Sequence, residues 1–430
     1  MRAIQYRSFG AGPELVEIDT PVPGEGEILL RITASGLCHS DQAVMALPEE
    51  RYPYSMPQTL GHEPAGVVAE VGPGVTGVES GTSVIVYGAW GCGMCEMCAD
   101  GSEQLCLNDH RWCGLGHPGA MAEYMIVKSP RHLVPIGDLD PVRAASLTDA
   151  ALTPYHAIKS VLPKLAAGST AVVIGAGGLG HVAIQLLRTL TAARVVALDL
   201  GEDKLAFARE VGAHEAFQSD RDAAKSIRRL TGGRGANVVF DFVGNDATGK
   251  VAVSCAGVAA SVVLLGAGGG GPRVGFASVP RDLSVSTSTW GRRSELFELV
   301  ELARRGQIEI HTQDFDLAGR RSRGIPAARR GPDPRSSGHR APLSRPFTGC
   351  LHEPVRCAAP NRHTNCASRP VYGSRSCAPL TRWTVPNDAR GRPPATDPLT
   401  RAWPEPTRID RHGDLGVEPA GSHPSYGNYA

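Results

Sequence analysis

Four cysteines, Cys92, Cys95, Cys98 and Cys106, fall within 15 residues in the segment GCGMCEMCADGSEQLC. Gly91, Gly93 and Gly101 permit the tight turns that would let four thiolates converge on one tetrahedral centre, with no position left for water. A closed all-sulfur site of this kind suits structural zinc, with an iron–sulfur cluster or four unligated buried thiols as the alternatives. Cys113 is left over and reads as an ordinary thiol. A second set is dispersed: Cys38 in GLCHSD, His62 in GHE and Asp149 in LTDAALTPYHA. Singly, each reads as a core residue, a surface residue or a helix cap. Together they offer one sulfur, one imidazole and one carboxylate, a set that leaves zinc an open position for water or substrate.

A third signal is Gly175-Ala-Gly177-Gly178-Leu179-Gly180, preceded by the apolar run TAVVI and followed by a helical pattern. Glycines at these positions let the backbone approach a pyrophosphate at a helix N-terminus. Asp199 follows 19 residues after Gly180, at the end of the next apolar run, ARVVALD. A carboxylate there accepts hydrogen bonds from ribose hydroxyls and repels a 2′-phosphate, which favours NAD over NADP. A glycine-rich turn that binds no nucleotide is the bland alternative.

Residues 1–140 read as short strands (MRAIQYR, EILLRITA, AGVVAEVG, TSVIVYG, AEYMIV) broken by Gly and Pro turns, the pattern of a β-rich domain assigned to 1–150, and a helical stretch begins at Pro141. From 151 to 290 buried apolar strands alternate with amphipathic helices, which predicts a doubly wound parallel sheet. Residues 291–318 add a helix, RSELFELVELARRG, and a strand, IEIHTQDFDL. The opening residues lack the apolar core and cleavage site of a secretory signal, and no apolar run approaches the roughly 20 residues of a membrane span. The expectation is a soluble, cytoplasmic protein in which clustered cysteines serve metal rather than disulfides. The net charge of +1 gives no electrostatic case for nucleic acid or membrane.

That neutrality is a cancellation. Residues 320–430 hold 18 Arg, 17 Pro, no Lys and 8 acidic residues, a charge of +10, so residues 1–319 carry −9. The tail has no helical or strand periodicity and predicts disorder over 319–430.

Residues 1 to about 318 resemble the zinc-dependent medium-chain alcohol dehydrogenases, and most of all the bacterial NAD-dependent secondary-alcohol enzymes. GLCHSD, GHE, the four-cysteine cluster, MAEYMIV, LTDAALTPYHAI, VVIGAGGLGH, ALD with Lys204, FDFVG and WGRRSEL carry the resemblance, in order. It implies a GroES-like catalytic domain, a Rossmann domain, two zinc ions per chain, NAD, and a dimer or tetramer acting on a small, possibly aryl, alcohol or its carbonyl product. Cys38, His62 and Asp149 would hold the catalytic zinc and Asp41 would orient His62. Glu63 would be an alternative ligand, Ser40 would take the alcohol proton, and His39 would lie near the cofactor phosphates. Lys204 and Val243 would join the glycine turn and Asp199 at the cofactor, while Tyr54, Leu115 and Trp290 would line the substrate cleft. Ala43 stands where some relatives place a relay histidine, and Pro64 and Ala151 stand where glycine is usual. A zinc-free quinone reductase of the same superfamily is disfavoured by Cys38, His62 and the cysteine lobe.

The resemblance also implies a closing AYRRL helix and a last apolar strand, and neither is present after residue 318. Suitable codons for the tail, read one base out of phase, restore ADAAEAYRRL and EGRIRGR, which suggests a frameshift near Ala318. A catalytically impaired, zinc- and nucleotide-binding product of a frameshifted gene is therefore the alternative function, and an open sheet edge beside the zinc site is the structural expectation.

Overall fold

The computed structural model describes residues 1–109 and 111–317, and residues 353–356 as a strand. Alternating apolar and polar residues build the N-terminal half. A three-stranded sheet sets β1 (Arg2–Tyr6) between β2 (Glu14–Glu17) and β4 (Gln58–Thr59). The larger sheet centres on the apolar run ILLRITASGL of β3 (Ile28–Leu37), which pairs antiparallel with β5 (Glu63–Val71). Outward from β5 come β6 (Ser83–Val86) and β10 (Leu133–Pro135). On the other edge of β3, β9 (Tyr124–Val127) pairs with its first half. A short excursion holds α2 (Glu96–Ala99) and the two-residue strands β7 (Trp112–Cys113) and β8 (Gly116–His117). Helices α1 (His39–Met45) and α3 (Pro141–Ala145) complete this half.

Six strands form the parallel sheet, in the order β13 (Glu215–Gln218), β12 (Arg194–Asp199), β11 (Thr170–Ile174), β14 (Ala236–Asp241), β15 (Ala256–Leu264), β16 (Ser284–Thr287). The TAVVI strand is buried at every residue, as a strand covered on both faces must be. The crossovers are α5 (Gly178–Leu190), α6 (Glu202–Glu210), α7 (Ala223–Leu230) and α8 (Asp246–Cys255). Strand order reverses between β11 and β14, so the crevice for a dinucleotide opens beyond the end of β11.

Two helices join the halves. α4 (Leu152–Ser160) packs on α5 and on α9 (Arg293–Arg304), and the core that includes Leu152, Ile158, Leu186, Leu296 and Leu299 continues into Ala65 and Ile85 of the antiparallel sheet. One core therefore fixes the two sheets against each other.

Two features differ from the sequence reading. The stretch IEIHTQDFDL forms only the short strand β17 (Phe315–Asp316). Its first half has no strand partner because α5 supplies the hydrogen bonds: Gln185 Oε1 accepts from Glu309 N and Gln185 Nε2 donates to Glu309 O, each at 2.8 Å. Ile308 and Ile310 still point inward, so the alternation was real while the pairing was not. The second difference concerns the edge expected to lie open. There β18 (Glu353–Arg356) pairs antiparallel with Ser35–Leu37 of β3, and β17 pairs with β18. Unpaired edge N–H and C=O groups favour any extended segment that reaches them. The rest of the predicted disordered tail, and the frameshift reading with it, lies outside the described residues.

Close packing at the glycine turn is testable. A Cβ at Gly180 would stand 1.8 Å from the Gly175 carbonyl oxygen, so Gly180→Ala must push α5 off β11. Overpacking of this kind costs ~1–3 kcal/mol. A lower melting temperature and a smaller NADH-induced rise in that temperature are the expected results of thermal denaturation with and without cofactor.

Candidate active site

Cys38 ends β3 and caps α1, so its side chain leaves the sheet at a fixed angle. Asp41, three residues on and fully buried, accepts the Cys38 N–H at 3.1 Å through Oδ2. Its Oδ1 lies 3.2 Å from His62 Nδ1. His62 enters just before β5, after Gly61 at φ +98°, where a Cβ would lie 2.6 Å from Ser35 Oγ. Asp149 closes a one-turn helix, Ser146–Thr148, and precedes α4. The buried Glu63 carboxylate grips both sides of that turn, accepting from Ser146 Oγ at 2.9 Å and from Ala150 N at 3.1 Å.

These constraints bring three residues 111 positions apart in sequence to one point. Asp149 Oδ2 lies 3.7 Å from Cys38 Sγ and 3.4 Å from His62 Nε2, and one ligand atom from each of the three lies within 4.8 Å of the others. Sulfur, nitrogen and oxygen bound tetrahedrally to one zinc stand roughly 3.3–3.8 Å apart. Thr153 Oγ1 donates to Asp149 Oδ1 at 2.6 Å, turning Oδ2 toward the other two ligands. His62 Nε2 is buried and makes no hydrogen bond, as a ligand nitrogen held for a metal should. Burial works against an imidazolium here. The Asp41 carboxylate beside Nδ1, with Asp149 and Cys38 close to the ring, nevertheless raises the His62 pKa well above 6.5, so the local field favours a cation. The donor set fits zinc.

The four remaining predicted ligands form a lobe in which one Sγ from each of Cys92, Cys95, Cys98 and Cys106 lies within 4.8 Å of the rest. Cys95 and Cys106 sulfurs are 3.9 Å apart, close to the ~3.8 Å of a tetrahedral zinc thiolate. Backbone N–H groups are aimed at sulfur: Met94 and Cys95 at Cys92 Sγ, Asn108 and Asp109 at Cys106 Sγ, each at 3.4 Å. These bonds, with Asn108 Nδ2, hold the Cys92 thiol down at about 6, whereas burial pushes Cys98 up to about 12. Gly91 leaves the lobe its room, since a Cβ there would be 2.5 Å from Cys98 Sγ.

At the end of β11 the chain turns at Gly175, φ +89°, beside Val243, whose Cγ2 lies 2.9 Å from where a Gly175 Cβ would be. Gly177 precedes α5, and Gly178, Leu179 and Gly180 form its first turn. Asp199 ends β12, 8% exposed, with Oδ2 accepting from Ala176 N at 2.8 Å and Oδ1 from Leu200 N at 2.7 Å. The carboxylate is therefore held against the glycine turn by the chain's own backbone. Lys204 sits half-buried in the first turn of α6.

Of the cleft residues, Trp290 stands edge-on to His62, ring centroids 6.1 Å apart, and its Nε1 donates to Thr148 O at 2.7 Å. Tyr54 and Leu115 lie further along: Tyr54 Cδ1 would be 2.8 Å from a Cβ at Gly116, and burial raises its phenol pKa. Ser40 Oγ is 3.6 Å from Cys38 Sγ, while His39 is exposed on α1. Sequence reasoning missed Trp112, which meets Trp290 edge-on at 5.0 Å, and Thr153. The i,i+4 spacing of Asp149 and Thr153 in LTDAALTPYHA was the available signal for the second.

A tetrahedral thiolate lobe, an open Cys–His–Asp site and a dinucleotide turn in one body define a zinc- and nucleotide-dependent dehydrogenase. Residues 24–138 match the alcohol dehydrogenase GroES-like domain and residues 178–305 the zinc-binding dehydrogenase family. An NAD-dependent alcohol dehydrogenase of Sulfurisphaera tokodaii is 32% identical over 319 residues, 72% of this chain and 91% of the relative. The solved alcohol dehydrogenase of Aeropyrum pernix superposes with a TM-score of 0.69 at 34% identity, covering 74% of this chain and 94% of that one. The acetophenone reductase of Geotrichum candidum, solved with NAD, gives 0.65 at 30%, covering 74% and 90%. The chain belongs to the zinc-dependent medium-chain alcohol dehydrogenase family. It is an NAD-dependent oxidoreductase of small-molecule alcohols, with a catalytic zinc site at Cys38, His62 and Asp149 and a structural one at the cysteine lobe.

Atomic emission analysis of the folded protein should find two zinc ions per chain, one for each ligand group. Cys95→Ser should reduce this to one and lower the melting temperature, because a structural zinc contributes folding energy directly.

Proposed function

We propose that Ser40 takes the proton of a secondary, possibly aryl, alcohol at the site formed by Cys38, His62 and Asp149, where zinc would be held, with NAD as the cofactor. The observation that carries this reading is His62 Nε2, buried, without a hydrogen-bond partner, and facing Cys38 and Asp149. Bound among these residues, zinc supplies the charge that makes the alcohol acidic near neutral pH, and NAD supplies the hydride acceptor. The chain's own residues do the rest. Asp41 holds the His62 ring and Thr153 turns the Asp149 carboxylate. Ser40 stands beside Cys38, and the proton leaves through the ribose hydroxyls, exposed His39 or water, since Ala43 offers no relay. Glu63 holds the Asp149 turn and serves as a reserve ligand.

Gly175, Gly177, Gly178, Leu179 and Gly180 take the cofactor pyrophosphate, Asp199 the ribose, and Lys204 and Val243 flank it. Trp290, Leu115 and Tyr54 form the apolar cleft. The presence of an acetophenone reductase among the relatives favours an aryl ketone as the reduced-direction substrate. We place the catalytic domain at 1–150, the Rossmann domain at 151–290 and the start of the return to the catalytic domain at 291–318. A dimer or tetramer is supported by β16, an edge strand with mostly exposed residues among the described residues, and by exposed Val274 and Phe276 before it. We place the enzyme in the cytoplasm: most of the described cysteines cluster as metal ligands rather than in disulfides, and no described helix is long and apolar enough to cross a membrane.

Purified protein should oxidise NADH when given acetophenone, and a chain loaded with both metals that turns over no alcohol or ketone would overturn the reading. Ser40→Ala should lower kcat by roughly 10²-fold or more with little change in NADH binding, as loss of a proton acceptor does. NAD should be preferred over NADP, and Asp199→Gly should relax that preference, measured as the ratio of the two kcat/KM values.

A further inference from the structure

Two adjoining cavities open where the parallel strands begin, at the opposite end of the sheet from the Gly175 turn. The larger, of about 450 Å³, is lined by Arg188, Arg194, Arg234, His214 and Thr231 among others. The smaller, of about 370 Å³, shares Gly168 and Ser169 with it and adds Lys164. Neither lining includes a carboxylate. On a body whose first 319 residues carry −9, a cavity with three guanidinium groups and no acid is a local reversal of charge.

The hydrogen bonds show that these donors are not used up. Val195 N donates to His214 Nδ1 at 2.8 Å, so the neutral ring carries its proton on Nε2. Arg188 Nη1 lies beside that same Nε2, so its guanidinium is engaged neither by a carbonyl nor by a carboxylate among the described residues. Arg194 gives one donor to Leu230 O at 3.2 Å, and Arg234 gives one to Thr231 O at 3.1 Å. A guanidinium has about five donors, so most of each fork remains for another partner. The carboxylate nearest to Arg194, Glu215, stands off at 3.9 Å. If these arginines served only to cap the ends of α5 and α7, each would be spent on a carbonyl, whereas Arg188 meets an imidazole.

We propose that this cavity binds a small phosphate-bearing anion, held by the guanidinium forks of Arg188, Arg194 and Arg234 and by His214 Nε2–H, separate from the cofactor phosphates at the other end of the sheet. A tetrahedral oxyanion supplies acceptors for the donors that line this carboxylate-free cavity, and planar forks match its oxygens in pairs.

The test is calorimetric titration of inorganic pyrophosphate, and in a parallel arm inorganic phosphate, into the zinc-loaded chain saturated with NADH so that the cofactor site is filled. One saturable site tighter than about 1 mM is expected. Stronger binding of pyrophosphate would assign a diphosphate ligand, and equal binding a single phosphoryl group. Arg188→Gln combined with Arg234→Gln should weaken binding by about tenfold or more while kcat/KM for the alcohol stays within about twofold. On the unaltered protein, pyrophosphate should protect Arg188 and Arg234 from phenylglyoxal, read by peptide mass spectrometry. No saturable heat up to about 10 mM, undiminished binding in the double variant, or unprotected arginines would each overturn the proposal.

Discussion

The carboxylate of Asp41 is the constraint on which the catalytic half depends. It is fully buried, and each of its oxygens is committed, one to the Cys38 backbone and the other to the His62 ring. One side chain thus sets the direction of a thiol at the end of β3 and the rotation of an imidazole at the start of β5. Hydrogen bonds to a charged group contribute about 1.5–3 kcal/mol, and an ionised carboxylate left buried without them would cost far more. Helix, strand and ligands are therefore selected together, because the carboxylate is satisfied in this arrangement.

Asp149 is held differently. Its turn is gripped from below by Glu63 and its carboxylate from the side by Thr153, and the helix that follows, α4, packs on α5 of the nucleotide-binding half. The third metal ligand thus rides on the segment that joins the two halves, whereas Cys38 and His62 belong to one sheet. A displacement of α5 against the antiparallel sheet would reach this site through the segment that carries Asp149.

Much of this was legible before any coordinates. The cysteine spacing, the three dispersed ligands and the glycine turn each carry chemistry that few other residue patterns serve, so their convergence follows the sequence closely. What escaped was contact made across the fold. Trp112 meets Trp290 through a loop closure that local periodicity cannot show, and Gln185 replaces a strand partner for Glu309 by a side chain. The pairing of Glu353–Arg356 with β3 lies in a stretch whose Arg- and Pro-rich composition argues against any regular structure. A sheet edge selects for backbone, and composition reports mainly on side chains.

Trp290 occupies a left-handed backbone conformation, φ +51°, rare for a bulky residue, and is pinned by its indole to Thr148, the neighbour of Asp149. Gly88 packs so tightly beneath it that a Cβ would lie 2.6 Å from the ring. This position is therefore poorly evolvable: an exchange at Trp290 removes the indole tether to the neighbour of a metal ligand and, unless it is to glycine, keeps the backbone strain. Trp112, whose Nε1 has no partner to lose, lacks that tether. Sequence change is therefore easier in the loop after the cysteine lobe than at the indole packed on His62.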